Sequence, residues 1–352
     1  MIKKINIGPK TIGDNFKPFI IAEISANHSQ SLDKAKKLIR AAAKSGVDAV
    51  KLQTFMPEDL TLDVDRKDFK INDKKSLWHG YKLFDLYKKA FTPWEWHKPL
   101  FKLAKELKLI SFSSVFDEES VDKLNNIGVP AFKIASFENN HLPLIKKVLD
   151  TQKPVIISLG ASTRVEINDL VKLTKNHKNK KVIFLKCTSI YPSDHNFLNL
   201  KSIKKIKSIT KSPVGFSDHT RGVSASISAI ALGANVIEKH FKDINDKKSL
   251  DSEFSIDVNE MKLLVKYAKE SWQSIGHDNI EMSIKEKNSR IFKRSIYISK
   301  KILPGQKITK KNIKIVRPGY SLEPKHLNLL IGKKFKKIKY PGDRIKMNEI
   351  YK

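Results

Sequence analysis

Two short apolar runs close on a histidine: "PVGFSDH" on His219 and "NVIEKH" on His240. If both runs are strands, neighbours in one sheet with level ends, the two imidazoles come close enough to share one metal ion. Two histidines with a nearby carboxylate or water suit Mn²⁺, Zn²⁺ or Fe²⁺, and affinity alone does not choose among them. If the runs are not neighbours, these are two unrelated structural histidines. Asp218 adjoins His219 in sequence and so need not share its direction.

Other runs end in the same way. Glu23 closes "FIIAE", Lys51 and Gln53 lie in "AVKLQT", and Ser113 and Ser114 end "LISFSS". Lys133, Ser136 and Glu138 fall in and just after "AFKIAS"; Ser158 ends "PVIIS"; Thr188 and Ser189 follow "VIFLKC". Ser217, Asp218 and His219, then Glu238, Lys239 and His240, complete the series. Charge at the end of a buried apolar strand is costly unless it pairs or holds a ligand. Two lysines among several hydroxyls suit a phosphate, the lysines as point charges and the hydroxyls as hydrogen-bond donors. A lysine so placed could equally form a Schiff base with a carbonyl substrate.

These residues need a frame. The eight runs are short, rich in β-branched and aromatic residues, and mostly lack polar alternation, which is how strands buried on both faces read. Amphipathic helical patterns lie between them, for example 31–46, with Ser31 as N-cap and Gly46 as stop. Eight strands each followed by a helix predict a closed (β/α)₈ TIM barrel, with functional residues at the C-terminal strand ends. A doubly wound open sheet is the alternative, but no glycine-rich phosphate fingerprint follows the first strand. "INIGPKTIG" reads as a hairpin able to plug the barrel bottom. Residues 55–92 form one long connection dense in aromatics, placed to lie over the active-site face. After about residue 283 the pattern changes to short β runs and two Pro-Gly turns. The expected organisation is a barrel domain over 1–276, a linker over 277–292 and a small, mostly β domain over 293–352.

Composition limits the function classes. The basic excess, 68 − 37 = +31, raises nucleic acid or an acidic membrane as partners. The lysines are spread along the whole chain, however, and no nucleic-acid motif accompanies them, so neither partner is expected. With one cysteine, Cys187, no disulfide forms within the chain. There is no signal-peptide pattern and no run of membrane-span length. A cytoplasmic location is expected.

The motifs "IIAEISANH", "DAVKLQT", "FSSVF", "FKIASFE", "KCTSIYP", "GFSDHTRG" and "ALGANVIEKHF" resemble, in order, those of the sialic acid synthase family. "VRPGYSL" and "IGKKFKKIKYPGD" resemble its C-terminal antifreeze-like (SAF) domain. "SANH", "ASFE" and the stretch 77–97 are most similar to the pseudaminic acid synthase branch. The resemblance implies a metal-dependent transferase. It would condense phosphoenolpyruvate with an N-acetylated amino-sugar aldehyde, 2,4-diacetamido-2,4,6-trideoxy-L-altrose for this branch, releasing phosphate by C–O cleavage. N-acetylneuraminate or legionaminate synthesis by the same chemistry is the alternative. By matching position, His219 and His240 would hold the metal, Mn²⁺ first, with Mg²⁺ or Co²⁺ as alternatives. Lys51, Ser114, Lys133, Ser136, Ser158, Ser189 and Ser217 would bind phosphoenolpyruvate, and Glu23 would act as general base or position water. Gln53, Glu138, Tyr191 and Asp251 would contact the sugar, with Arg317 of the small domain reaching an N-acetyl group across a domain-swapped homodimer. On spacing alone Asp251 reads as solvated, in the charged stretch "DINDKKSLDSEF". Ser189 stands where the family often has Asn, and Leu159 replaces a family threonine. His28 is expected to be structural and Cys187 part of the wall.

Overall fold

The computed structural model describes residues 4–276 and 279–351. Met1–Gly276 and His277–Lys352 form two compact units; residues 277 and 278, where the linker was expected to begin, lie outside the described residues.

In the first unit a hairpin of β1 (Ile5–Ile7) and β2 (Lys10–Ile12) precedes eight parallel strands. These are β3 (Phe19–Glu23), β4 (Ala49–Thr54), β5 (Ile110–Val115), β6 (Phe132–Ile134), β7 (Val155–Ser158), β8 (Val182–Cys187), β9 (Val214–Asp218) and β10 (Val236–His240). They pair in sequence order, and β10 closes the barrel by pairing with both β9 and β3. Each is followed by an outer helix, the first Leu32–Ser45 and the last Val258–Ile275. The first runs from a Ser31 cap, whose hydroxyl accepts from the Lys34 amide, to Gly46 at φ 81°, a left-handed turn that costs glycine no Cβ clash.

Side chains alternate strictly between two apolar layers. Ile20, Val50, Phe132, Ile157, Phe184, Phe216 and Ile237 face the helices. Phe19, Ile21, Ala49, Phe112, Ile156, Leu185 and Val236 face the barrel interior, where Ile5, Ile7 and Ile12 of the hairpin join them. The hairpin thus plugs the bottom. Because the period is two, the next inward positions toward the C-terminal ends are Glu23, Lys51, Ser114, Lys133, Ser158, Cys187, Ser217 and Glu238. The fold therefore changes from an apolar floor to a polar layer within one pleat.

The second unit contains a short helix, Ile284–Lys287, and strands β11 (Ser295–Ile298), β12 (Ile313–Val316), β13 (Lys334–Phe335) and β14 (Ile350–Tyr351), in two antiparallel pairs. Its own core is built from Ile296, Ile298, Ile302, Ile308, Leu330 and Phe335.

Candidate active site

At the C-terminal ends of the strands a cavity of about 500 Å³ opens in the first unit. Lys51 and Lys133 rise from its floor. The Lys51 ammonium donates to Ser114 Oγ at 2.8 Å and contacts the Glu23 carboxylate. The Lys133 ammonium donates to Ser158 Oγ at 2.8 Å and to the Ile134 carbonyl at 3.0 Å. Glu238 stands between the lysines, 3.8 Å from Lys133 and 3.9 Å from Lys51, and accepts from Ser217 Oγ at 3.2 Å. All four charged groups are buried.

Their protonation follows from the neighbours. Burial opposes charge on Glu238, but Lys133 and Lys51 outweigh it and hold its pKa below the usual carboxylate value. Burial raises Glu23 to about 7, with Lys51 opposing and Glu238 reinforcing the shift. Burial lowers Lys133, while Lys51 stays above its ordinary value because Glu23 and Glu238 offset its desolvation. One firmly ionised carboxylate thus sits between two buried ammonium groups, a positive floor suited to an anion.

Beside the lysines the loop after β7 forms a cradle. The Gly160 amide donates to Ser136 Oγ at 3.2 Å. A Cβ added at Gly160 would lie 2.2 Å from Ser189 Oγ and 2.6 Å from Ser136 Oγ, so only glycine leaves both hydroxyls in place. Asn139 pins this loop, its amide donating to the carbonyls of Ser158 and Gly160 at 3.1 Å each and to Ser162 Oγ at 2.7 Å.

Above the floor the His219 and His240 rings lie 5.3 Å apart between centroids. His219 Nδ1 faces the Thr188 carbonyl at 3.2 Å; a carbonyl only accepts, so Nδ1 carries a proton. Burial opposes charge on this ring, but Cys187 outweighs it and raises the pKa above the ordinary histidine value. His240 is driven well below its ordinary pKa by burial and then by His219, and is therefore neutral. Its Nδ1 is buried without a hydrogen-bond partner among the described residues. Among the described residues no group of three metal-ligating side chains comes together. The chain itself offers two imidazoles, neutral His240 and His219 once its Nε2 is deprotonated, and that pair fits a single divalent cation whose other positions are open. Asp251 is buried, contrary to the solvated position its spacing suggests. It accepts from Ser25 Oγ at 2.5 Å and lies 3.7 Å from His240 Nδ1.

Asp218 faces the other way. It accepts from Thr220 and Ser226 and pairs with the fully buried Lys239 at 3.2 Å, outside the barrel wall. His28 is structural: it packs edge-on against Trp96, accepts from the Gln30 amide and is lowered to about 4 by burial.

Gln53, Glu138 and Tyr191 line the upper cavity. Burial raises Glu138 to about 7, and one of its oxygens has no partner among the described residues. The Tyr191 ring packs at a tilt against His219 and Phe254, with centroids 4.4 and 5.2 Å away. Arg317 is exposed in the second unit, before a cis peptide bond to Pro318, in a shallow cleft with Tyr297, Tyr320 and Arg344. Neither Glu238 nor Asn139 stands out in the sequence as a functional residue. Glu238 was accessible by counting two residues from Val236 and two from His240; the reach of Asn139 across to the next loop left no local signature.

The NeuB family model matches residues 38–279 and the SAF domain model residues 293–350. The chain belongs to the NeuB family. This NeuB-family chain is 42% identical over 334 residues to the pseudaminic acid synthase of Campylobacter jejuni, covering 95% of this chain and 96% of that protein. It is 36% identical to the N,N'-diacetyllegionaminic acid synthase of the same organism, over 90% of this chain and 95% of the other. The N-acetylneuraminic acid synthetase of Leptospira borgpetersenii, solved with citrate, superposes with a TM-score of 0.73 at 29% identity, covering 82% of this chain and 95% of that one.

Proposed function

We propose that this NeuB-family enzyme condenses phosphoenolpyruvate with 2,4-diacetamido-2,4,6-trideoxy-L-altrose and water, giving pseudaminate and phosphate. The observation that carries the reading is the polar layer itself: two buried lysines, hydroxyls and a glycine cradle directly below a pair of uncommitted imidazoles. The 42% identity to a pseudaminic acid synthase supports the choice of sugar.

Lys51 and Lys133 bind the carboxylate and phosphate of phosphoenolpyruvate, with Ser136, Ser158, Ser189 and Ser217 completing the hydrogen bonds and Ser114 steadying Lys51. The carbon 2–carbon 3 π pair then forms the bond from carbon 3 to the aldehyde carbon. The C=O π pair moves onto the aldehyde oxygen, which takes up a proton to become a hydroxyl, and positive charge develops at carbon 2. Glu238 lies between the lysines, where its ionised carboxylate stabilises that charge. Glu23, held near neutrality, takes a proton from the water that adds to carbon 2. Phosphate leaves as the C–O bond breaks. Gln53, Glu138, Tyr191 and Asp251 orient the sugar.

His219 and His240 would hold a divalent cation, Mn²⁺ by the family resemblance, which when bound supplies Lewis acidity to the aldehyde oxygen. A Schiff base at Lys133 is disfavoured, because its ammonium already donates to Ser158 and Ile134 and faces Glu238. Arg317, exposed in the small domain, is available to an N-acetyl group of a partner subunit's substrate, which a domain-swapped homodimer would provide. No described helix is long and apolar enough to cross a membrane; phosphoenolpyruvate is a metabolite of the cell interior, and we place the reaction there. Phosphate release with each candidate sugar, with and without chelator, tests the proposal.

A further inference from the structure

Residues 55–92 are among the most charged stretches of the chain: 15 of these 38 residues are Asp, Glu, Lys or Arg. None of the fifteen lines the cavity. The segment offers it eight residues, Leu60, Ile71, Trp78, Leu83, Leu86 and Tyr87 among them, all apolar or aromatic. The polar atom of Trp78 is already used, since its indole N–H donates to the Leu250 carbonyl at 3.1 Å. Tyr87 packs edge-on against Phe55 at 5.9 Å, and Phe55 against Phe116 at 5.1 Å. The cavity is therefore divided. Its floor is ionic, and the wall built by this segment offers a hydroxyl only the Tyr87 phenol, its other lining residues being apolar or, at Trp78, already bonded.

The reaction geometry decides what meets that wall. Phosphoenolpyruvate is held at the floor by Lys51 and Lys133, so the sugar's aldehyde carbon must sit just above, by the imidazoles. The far end of the sugar then extends to the rim, where the long loop lies. We infer that residues 55–92 form an apolar subsite that selects sugars lacking a hydroxyl at carbon 6, taking the terminal methyl against Leu60, Ile71, Leu83 and Leu86. This deepens the reading above and rests on it. A hydroxyl buried against these four aliphatic side chains loses its water and gains no partner from them.

An apolar pocket discriminates against an added hydroxyl by about 10²-fold. The test compares kcat/KM for 2,4-diacetamido-2,4,6-trideoxy-L-altrose with that for its 6-hydroxy counterpart, in the wild type and in Leu83→Asn and Leu60→Ser. The expected wild-type preference for the deoxy sugar is about 10²-fold, falling by roughly tenfold or more in each variant as a hydrogen-bonding group enters the wall. An unchanged KM for phosphoenolpyruvate shows that each variant retains the floor. Equal turnover of the two sugars by the wild type, or variants that leave the ratio unchanged, would overturn the subsite while leaving the synthase reading intact. Preference for a trideoxy sugar of another configuration would instead remove the altrose assignment and support the subsite.

Discussion

The Lys133 ammonium lies 3.8 Å from the Glu238 carboxylate at the floor of the barrel mouth, and both are buried. Removing one partner of a buried ion pair leaves the other uncompensated, at a cost of about 3–5 kcal/mol. Glu238→Gln should therefore lower thermal stability without substrate, because two ammonium groups then face each other across the floor. Phosphoenolpyruvate restores the missing negative charge. Its stabilising shift in melting temperature should be larger in Glu238→Gln than in the wild type; an equal shift would remove the floor as its binding site.

Glu23 sets an expected pH profile. Its pKa is raised from 4.5 to about 7, and a general base works as the carboxylate. The rate should climb as pH rises through about 7 and fall below it. Glu23→Gln should lose about 10²–10⁴-fold in rate and lose the acid limb. Glu138 is raised to a similar value, so Glu138→Gln is the control: it should keep the limb while changing the KM for the sugar.

His219→Ala and His240→Ala should fold and bind phosphoenolpyruvate yet lose metal-dependent turnover, because each removes one of two uncommitted nitrogens. Metal content after dialysis, measured alongside phosphate release, checks this. Full activity in either variant contradicts the assignment.

Gly160→Ala tests the cradle. The new methyl would meet Ser189 Oγ and Ser136 Oγ at 2.2 and 2.6 Å. Displacing them should cost roughly 1–3 kcal/mol and raise the KM for phosphoenolpyruvate more than that for the sugar. Equal effects on both would place the cradle away from the phosphate.

The barrel was legible because its strands are buried on both faces, and "FIIAE" and "AVKLQT" carry the observed bounds of β3 and β4. At "AFKIAS" the strand stops at Ile134, since Ser136–Glu138 turn into a 3₁₀ helix that brings Ser136 under Gly160. Local apolarity does not encode that turn. Asp251 was illegible for a different reason. Its surroundings in sequence are charged, and what buries it is Ser25, 226 residues away. The facing of Asp218 away from the cavity followed from alternation alone, as did the inward position of Glu238, although that residue's role emerged only when both lysines were seen beside it.

In the proposed reaction the ionic floor and the imidazole pair serve one condensation. The most direct measurement incubates the protein with phosphoenolpyruvate, Mn²⁺ and 2,4-diacetamido-2,4,6-trideoxy-L-altrose, with N-acetylmannosamine in parallel, and follows phosphate and product mass. Stoichiometric phosphate with a nine-carbon pseudaminate, abolished by chelator, is the predicted result. Turnover of N-acetylmannosamine alone, or product formed equally well in the presence of chelator, would contradict the account.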